Sequence, residues 1–375
     1  MTGSAVFTTG DHALVAGGRT SRLTTPRGDD PAWADAVLHA LRPRTPLAIG
    51  VLPFRATDPA GAILADQPRR LPRTALVEQA PAEPRTEAAE IREMPSADRF
   101  ADAVRAAVDR LAAPDALGRD ALRKVVLGRW LELDGAPSPA DLLAALAARH
   151  PAAHLFRVPL GDGTQLVGAS PELLVGRRGS RVRSTPLAGS VPRAADPVLD
   201  RVRAEALRDS AKDLHEHAFV VDAVADTLRP LCRWLRVPAR PVLRATDTMW
   251  HLASPIEGEL AEVSPATSAL RLAQLLHPTP AVCGTPRDAA YRLIAELEPH
   301  DRGVLTGAVG CLDAAGDGDW AVTIRAGVVD GRRLRLFAGA GIVAGSDPDS
   351  EVAETQAKLE TMLAAAGVVG AAAGR

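Results

Sequence analysis

Residues 320–338 read WAVTIRAGVVDGRRLRLFA, two strand-like runs around an Asp-Gly pair. An Asp-Gly pair between two such runs is a strong signal of a β-hairpin with a two-residue type I′ loop. We therefore predict antiparallel strands joined by a loop at Asp330-Gly331. In this register Arg325 lies opposite Leu336, and Thr323 shares the face of Arg325.

Other strand patterns precede this hairpin in consecutive runs. They are predicted at 48–54, 124–133, 155–160, 165–169, 173–177 and 181–185, and helices are predicted at 101–113, 141–150 and 202–228. Because helices are interspersed irregularly among runs of strands, the pattern favours an α+β fold with large antiparallel sheets over a doubly wound parallel sheet.

Domain organisation is predicted to be simple. Residues 1–45 form an N-terminal segment of unclear structure, 46–366 a single domain and 367–375 a C-terminal tail. Residues 66–96 carry proline and mixed charge without a clear period, and we interpret them as a surface connection.

Composition excludes several classes of partner. The chain has 375 residues, is 46% hydrophobic and 24% charged, and carries a net charge of −2. This charge provides no long-range attraction to nucleic acid or anionic membranes, and six Phe, five Trp and one Tyr argue against base-stacking surfaces. Three cysteines without metal-type spacing and no secretory signal pattern indicate a soluble, cytoplasmic protein.

A cation site is suggested by the C-terminal stretch SEVAETQAK at 350–358. Helical spacing places Glu351, Glu354 and Lys358 on one face, where two carboxylates and an ammonium suit a divalent cation beside an anionic substrate. The preceding GAGIV at 339–343 predicts a glycine loop whose backbone N–H groups meet an oxyanion. The same spacing is also typical of an ordinary solvated helix.

A second polar group lies in the predicted helix 202–228. Lys212 to His217 read KDLHEH and stand above apolar stripes, so this group caps a buried face. His215 and His217 point apart on a helix, which argues against zinc, and a hard cation on Glu216 is better supported. A helix-end cluster whose polar groups satisfy one another is the alternative.

Three isolated charges also lie in apolar strand patterns. Burial of Glu172 would raise its pKa and suit a general acid, although Glu172 equally suits a helix cap or an arginine partner. Lys124 heads an apolar strand, where a desolvated amine can act as a base but edge protection is common. Arg325 on a sheet face suits carboxylate recognition. The small residues at 184–190 form a turn that a ligand can approach.

Taken together and in this order, these features resemble the chorismate-utilising enzymes, which include isochorismate synthase, salicylate synthase, anthranilate synthase component I and aminodeoxychorismate synthase component I. The similarity runs from about residue 46 to about 364 and is strongest from Lys124 onward. The blocks that carry it are GVLPF (50–54), WHLASPIEG (250–258), LHPTPAVCG (276–284) and IAELEPHDR (294–302). It implies helices and large antiparallel sheets around a central active-site cleft.

The resemblance also implies residue roles. Glu216 and Glu354 match magnesium ligands that bridge to the ring carboxylate of chorismate, with Glu351 nearby through water. Arg325, Lys358 and the backbone of Gly189 and Gly339 match positions that hold the substrate carboxylates. Glu172 matches the acid that protonates the departing C4 hydroxyl, and His251 an active-site histidine near the ring.

The nucleophile distinguishes the branches of this family. Lys124 matches the base lysine of the water-using members, and Ala188 replaces the lysine nucleophile of aminodeoxychorismate synthase. Isochorismate synthase chemistry is implied, with a protonated Glu172 and a neutral Lys124 coexisting. No glutamine amidotransferase partner is then needed, and a monomer is expected. The product would feed a siderophore, menaquinone or salicylate pathway.

Alternatives remain at this stage. Salicylate synthase, which goes on to eliminate pyruvate, is the nearest one, although salicylate-forming members tend to have a threonine near Ala281. A Mg²⁺-dependent hydrolase and a non-catalytic scaffold are more distant. Two departures from the usual pattern, His300 and Ala211-Lys212, touch no predicted catalytic role.

Overall fold

The computed structural model describes residues 4–42, 45–78, 90–113 and 121–368. Most of the predicted tail, 369–375, lies outside the described residues, as do 79–89 of the predicted surface connection. Within the described ranges the strands are, in chain order, β1 (Val6–Thr9), β2 (His12–Val15), β3 (Thr20–Thr25), β4 (Leu47–Leu52), β5 (Ala60–Ala65), β6 (Arg69–Pro72), β7 (Ile91–Met94), β8 (Lys124–Asp134), β9 (His154–Pro159), β10 (Gln165–Ser170), β11 (Leu173–Arg178), β12 (Arg181–Thr185), β13 (Leu187–Pro192), β14 (Cys232–Arg236), β15 (Val242–Ala245), β16 (Met249–Ala253), β17 (Ile256–Leu260), β18 (Gly284–Thr285), β19 (Ala308–Asp313), β20 (Gly318–Val322), β21 (Ala326–Asp330) and β22 (Arg333–Ile342).

The α-helices begin and end close to sequence signals. They are α1 (Pro31–Ala40), α2 (Thr74–Val77), α3 (Ala97–Ala112), α4 (Pro139–Arg149), α5 (Pro197–Asp209), α6 (Ala211–Leu228), α7 (Ala269–Leu276), α8 (Arg287–Leu297) and α9 (Pro348–Ala365). Side chains cap several N-termini; Ser138 accepts from Asp141 N and Asp347 from Ser350 N. Such caps satisfy backbone N–H groups that have no partner within the helix.

The strands form three antiparallel sheets. The first has the order β18-β8-β22-β21-β10-β9-β1-β2-β6 with β7 also on β8, the second β14-β17-β12-β11-β20-β19-β4-β5-β3, and the third β13-β16-β15. The α+β prediction with large antiparallel sheets is confirmed. Residues 4–42, for which the sequence predicted no structure, contribute to both large sheets, since β1 pairs with β9 and β3 with β5.

Apolar side chains fill the space between the first and second sheets and cover their outer faces. Phe7 and Phe156 of the first sheet pack with Ile49 and Val309 of the second. Helices α4 and α9 cover the outside of the first sheet, and α1, α6 and α7 cover the second. Helix α6 also packs on β13 of the third sheet, so α6 and α9 both border the place where the sheets meet.

The hairpin loop differs from the prediction by one residue. Asp330 lies opposite Arg333, so the loop is Gly331-Arg332 and not Asp330-Gly331. Gly331 has a φ of +56°, and a glycine with positive φ at the first loop position is typical of a type II′ turn. The predicted register was therefore wrong, and Gly327 lies opposite Leu336.

The sequence analysis predicted Arg325 within a strand, but Arg325 lies between two strands. Strand β20 belongs to the second sheet and β21 to the first, and residues 323–325 carry the chain between them. Arg325 has a φ of +52°, a conformation that is uncommon for a residue with a side chain. The prediction of one continuous strand at 320–329 was wrong because alternation along a sequence does not reveal a change of sheet.

Three further local predictions need correction. The predicted helix 202–228 is two helices, since Ser210 is extended and its side chain caps α6 by accepting from Asp213 N. The predicted glycine loop 339–343 is mostly strand, because β22 pairs with β8 as far as Ile342. The predicted connection at 66–96 contributes β6 and β7 to the first sheet. None of the helices in the described ranges is long and apolar enough to cross a membrane.

Candidate active site

A pocket lies where β8 and β22 of the first sheet approach the third sheet, α6 and α9. It contains about 680 Å³ of space, counting its mouth. Most of the residues predicted to carry function line it, although they come from seven separate stretches of the chain. These lining residues are Glu172, Gly189, Glu216, His251, Arg325, Gly339, Glu354 and Lys358.

Lys124 does not itself line the pocket but contacts a residue that does. Its Nζ lies 2.9 Å from Oε1 of Glu216, and its side chain is 0% exposed. The geometry of this contact is not that of a hydrogen bond. Lys124 Nζ therefore has an ionic partner but no hydrogen-bond acceptor among the described residues. Strand β8 and helix α6 thus place a buried amine and a carboxylate in contact with each other.

Glu172 is the acid in the turn between β10 and β11. It is 2% exposed, and burial raises its pKa from 4.5 to about 8, although a hydrogen bond from Leu187 and the charges of Lys124 and Lys358 oppose the rise. The rise in pKa that burial predicted is therefore found. Glu172 is protonated at neutral pH, which is the state that a general acid requires.

Glu354 and Lys358 form an ion pair within α9. Lys358 Nζ also donates to the carbonyl oxygen of Gly339 at 2.8 Å, and Ser190 Oγ donates to Glu354 Oε1 at 2.8 Å. Burial opposes ionisation of Glu354, but Lys358 and Ser190 hold its pKa below the usual value. The pocket therefore contains an ionised carboxylate beside an ammonium, as the helical spacing predicted.

Glu351 lies one turn before Glu354 but does not line the pocket. Lys212 Nζ donates to Glu351 Oε1 at 2.8 Å. Burial and the nearby Glu354 charge raise the pKa of Glu351 to about 7 despite Lys212. Sequence reasoning had assigned no role to Lys212, and this contact corrects that view because Lys212 compensates one of the three predicted cation-binding acids.

Lysine is used sparingly in this chain, and each lysine is in this region. Lys124, Lys212 and Lys358 are the three lysines of the sequence. They pair with Glu216, Glu351 and Glu354 respectively, whereas basic residues elsewhere are arginine. An ammonium is a compact charge that can lose its proton, which a guanidinium does not do in proteins. The scarcity of lysine was a sequence signal that could have identified Lys212.

Arg325 and His251 contact each other across one wall of the pocket. Arg325 Nη2 lies 3.4 Å from His251 Nε2, and Nη1 donates to the carbonyl oxygen of Lys358 and to Thr361 Oγ1, each at 3.2 Å. Burial lowers the pKa of Arg325 to about 10, and burial with the Arg325 and Lys358 charges holds the pKa of His251 well below 6.5. His251 is therefore neutral beside a cation.

Gly341 makes the ion pair of Lys124 possible. A Cβ at this position would lie 2.1 Å from Glu216 Oε1 and 3.0 Å from Lys124 Cε. The predicted role of this glycine-rich stretch was a loop presenting N–H groups, but its observed effect is space. A strand without a side chain at this point lets the carboxylate reach the amine.

His217 is a buried histidine that sequence reasoning had not connected to the pocket. Its Nδ1 lies 3.1 Å from the carbonyl oxygen of Ala188 and its Nε2 2.8 Å from Ser254 Oγ. Burial lowers its pKa to about 4. Because Ala188 and Gly189 line the pocket at a bulge between β13 and β16, His217 positions this backbone segment from behind.

Two carboxylates of the pocket have the chemistry to hold a hard divalent cation. Glu216, whose Oε1 contacts Lys124, and Glu354 both line this pocket. Within the described ranges no three His, Cys, Asp or Glu side chains form a group that could hold a metal. The donor set therefore suits a cation that takes further oxygens from a ligand or water.

Comparison with known proteins gives a single family. The sequence profile described as chorismate binding enzyme matches residues 54–367. Isochorismate synthase DhbC of Bacillus subtilis (strain 168) is 45% identical over 332 residues, which cover 86% of this chain and 81% of that protein. Isochorismate synthase EntC of Escherichia coli (strain K12) is 40% identical over 336 residues, covering 88% and 83%.

A solved structure shows the same architecture. The crystal structure of a Bacillus anthracis protein assigned as a 2,3-dihydroxybenzoate-specific isochorismate synthase, DhbC, superposes with a TM-score of 0.88 at 38% identity. The match covers 98% of this chain and 97% of that one. With the profile, the relatives and the fold all in agreement, this chain belongs to the family of chorismate-binding enzymes.

Proposed function

We propose that this chain is an isochorismate synthase, which adds water at C2 of chorismate and expels the C4 hydroxyl. The single observation that carries this proposal is the burial of Glu172, with a pKa of about 8, in the pocket that also contains Arg325 and Lys358. A proton donor beside two cations matches a dicarboxylate substrate that must lose a hydroxyl. The names of the relatives support the same reaction.

Substrate binding is assigned to the cations of the pocket. Chorismate carries two carboxylates, and Arg325 and Lys358 supply a guanidinium and an ammonium on the same wall, joined by the Arg325 contact to the Lys358 carbonyl oxygen. Charge-assisted hydrogen bonds of this kind are short and directional. The backbone of Gly189 and Gly339 borders the same space. We assign His251, neutral and in contact with Arg325, to the edge of the ring.

Proton transfer is assigned to Lys124 and Glu172. Lys124, in its neutral form, accepts a proton from the attacking water as the C2–O bond forms. The ring double bonds shift, the C4–O bond breaks, and Glu172 donates its proton to the departing hydroxyl, which leaves as water. One water enters and one leaves, so the product is an isomer. The two residues have exchanged protonation states and return them through solvent before the next cycle.

We further propose that Glu216 and Glu354 hold Mg²⁺ together with the ring carboxylate, with Glu351 contributing through water. Oxygen ligands suit this ion, and a bound Mg²⁺ would supply charge neutralisation for the substrate carboxylate. The clustering of the acids supports this assignment, because Glu216 and Glu354 line one pocket and the Glu354 charge lies close enough to raise the pKa of Glu351. Glu351, with its pKa raised to about 7, would gain most from an added positive charge.

Product and partner follow from the same residues. Lys124 matches the base lysine of the water-using members, so water is the nucleophile and no amidotransferase partner is needed. Ala188, in the pocket wall, supplies no amine nucleophile. Ala281, also in the wall, favours release of isochorismate over the pyruvate elimination of salicylate synthase. We propose that the enzyme acts as a monomer in the cytoplasm. Its product would serve a siderophore, menaquinone or salicylate pathway.

The test is product analysis in isotopically labelled water. Purified protein is incubated with chorismate and Mg²⁺ in H₂¹⁸O, and the products are separated by chromatography and weighed by mass spectrometry. We expect isochorismate carrying one ¹⁸O, with little pyruvate. Salicylate and pyruvate as main products would instead support the salicylate synthase alternative. Unlabelled isochorismate would contradict water attack, and unconsumed chorismate would overturn the proposed function.

A further inference from the structure

A second pocket lies on the far side of Arg325 from the active-site pocket. Arg325 lines both, and other stretches that border one pocket border the other a few residues away: Pro171 beside Glu172, and Thr361 one turn after Lys358. We call this second space the arginine pocket. Its polar lining consists of His150, Arg193, Arg244, Thr246, Asp247, Arg325 and Thr361, and it contains about 760 Å³, counting its mouth.

The partition between the two pockets is the Arg325 side chain with its partners. Its guanidinium contacts His251 Nε2, Thr361 Oγ1 and the carbonyl oxygen of Lys358, and these distances lie between 3.2 and 3.4 Å. None of these contacts is to a carboxylate, and each is longer than a typical charge-assisted hydrogen bond. An anion on either side can therefore compete for this guanidinium.

The charges of the arginine pocket are not balanced. Arg193 is compensated by Asp200, with Nη2 2.8 Å from Oδ2, and its guanidinium stacks on Trp250. Arg244, half-buried, has no side-chain hydrogen bond or ion pair with any residue that the structure describes. The single acid of the lining is Asp247, which lies 3.4 Å from His150 Nδ1 and is 54% exposed.

A buried nitrogen adds to this imbalance. The His150 side chain is 10% exposed, and its Nε2 is inaccessible to solvent. This nitrogen has no hydrogen-bond partner among the described residues. Buried polar atoms are usually paired with protein or water, so this nitrogen leaves one polar group of the pocket wall unsatisfied. It lies in the same lining as Arg244 and Arg325.

Strand register connects Arg244 to the active site. In the third sheet, Ser190 lies opposite His251 on one side and Arg244 lies opposite His251 on the other. Directly opposed residues of antiparallel strands present their side chains on one face. A row from Ser190, which binds Glu354, through His251 to Arg244 therefore continues the polar face of the active site into the arginine pocket.

We propose that the arginine pocket is a second carboxylate-binding site, which receives the doubly charged substrate at Arg244 before a carboxylate passes to Arg325. This inference rests on the proposed function for the identity of the dicarboxylate. An unpaired cation in the lining of a pocket attracts anions and raises their local concentration. Arg325, shared by both pockets, would exchange its neutral partners for the incoming carboxylate.

The test compares R244Q, which removes a positive charge from the pocket, with D247N, which removes a negative charge. Chorismate is mixed with protein in a stopped-flow instrument, and association is followed by tryptophan fluorescence at several ionic strengths, while product formation is measured in parallel. We expect R244Q to slow association about three- to tenfold and to weaken its salt dependence, and D247N to accelerate association about two- to threefold, since steering depends on local charge. R244K should remain near wild type, and kcat should change less than about twofold in all of them.

The matched control is R229Q. Arg229 is exposed, follows α6, lines neither pocket and carries the same charge as Arg244. R229Q should associate with chorismate as the wild type does. An R244Q variant that keeps the wild-type rate and salt dependence would overturn the inference, as would equal slowing by R229Q. If D247N slows association, the sign is wrong and the inference also fails.

The outcome for the proposed function is separate. If the wild type converts chorismate to isochorismate and R244Q associates with chorismate at the wild-type rate, the proposed function is supported and the role of the arginine pocket is refuted. Absence of isochorismate from the wild type would remove the function, while the association rates of R244Q and D247N would still decide whether this pocket receives the dicarboxylate.

Discussion

Lys124 and Glu216 form a buried ion pair, with 2.9 Å between Nζ and Oε1, that joins the first residue of β8 to the middle of α6. The lysine side chain is 0% exposed and that of the glutamate 9%. A pair this deeply buried is compensated only while both partners are present. The contact brings together Lys124, which we assign as the base, and Glu216, which we assign to Mg²⁺. A change in either residue is therefore expected to alter the role of the other.

Substitution Lys124→Ala should reduce both turnover and stability. Loss of the base is expected to lower kcat by a factor of about 10² to 10⁴. Leaving Glu216 unpaired should lower the free energy of unfolding by about 3–5 kcal/mol. Chorismate binding, measured by calorimetry, should remain largely intact because Arg325 and Lys358 are untouched.

The double variant K124A/E216Q separates these two effects. Removing the charge of Glu216 should restore much of the lost stability in urea unfolding, while turnover stays low because the base and a proposed Mg²⁺ ligand are both absent. Recovery of turnover together with stability would show that Lys124 is structural only.

Substitution Glu172→Gln should remove turnover and change how stability depends on pH. The pKa of Glu172 is about 8 in the folded protein, raised from 4.5 by burial, so the native state holds a proton that the unfolded chain releases between these values. Wild-type stability from this group is complete below pH 4.5 and is lost as pH rises to about 8, by up to about 1.4 kcal/mol per pH unit. Glutamine has no such loss.

Urea unfolding of the wild type and E172Q at pH 5, 7 and 9 measures this difference. The variant should gain stability relative to wild type from pH 5 to pH 7 and again toward pH 8, and the difference should then level off. Wild-type turnover should also fall above pH 8 as the acid loses its proton. A stability difference independent of pH would mean that Glu172 is ionised in the native state.

Substitution Gly341→Ala should break the ion pair of Lys124 and Glu216 without replacing either charged residue. The added Cβ would lie 2.1 Å from Glu216 Oε1, and the carboxylate must move away. We expect turnover to fall at least about tenfold and the free energy of unfolding to fall by about 1–3 kcal/mol, since overpacking forces neighbours from their positions. Steady-state kinetics and thermal unfolding provide the measurements.

Gly345→Ala is the matched control for this substitution. A Cβ at Gly345 would meet no atom within 4 Å, and the residue follows β22 in the same segment. Its stability should stay within about 0.5 kcal/mol of wild type, as for other substitutions that disturb no contact. Equal losses in both variants would refute the steric explanation.

Magnesium dependence should be read from the concentration of Mg²⁺ that gives half-maximal turnover. A chelator should abolish isochorismate formation and added Mg²⁺ restore it. Glu354→Gln should raise the half-maximal Mg²⁺ concentration at least about tenfold, because it removes a charged oxygen ligand. Glu205→Gln, on the exposed side of α5, should leave it unchanged. Full activity in the presence of chelator would contradict the metal assignment.

Local sequence patterns were sufficient for much of the fold. The α9 spacing correctly placed Glu354 and Lys358 on one helix face, and alternation located β8 and the strands from β9 to β12 within one or two residues. Sequence periodicity failed where a helix cap or a change of sheet interrupted an element that the periodicity alone would continue. Ser210 ends a helix that periodicity alone continues, and Arg325 leaves a strand because the chain changes sheets there.

The site was only partly predictable for the same reason. Burial of Glu172 followed from its apolar neighbours, and the resemblance to a family indicated which acids belong together. Nothing local indicates that Lys212 reaches Glu351, that His217 positions Ala188, or that residues 4–42 complete both large sheets. These contacts join positions far apart in the chain, and their partners are chosen by packing.

The amino-acid sequence by itself determined the antiparallel class of the sheets, the helix that carries Glu354 and Lys358, and the family, because periodicity, caps and motifs act over a few residues. Only the tertiary structure decided that Lys124 faces Glu216, that Glu351 turns to Lys212, and that Arg325 stands between two pockets. The physical reason is that a buried charge takes the partner that the packed sheets and helices bring within about 3 Å, and separation along the chain carries no information about that distance.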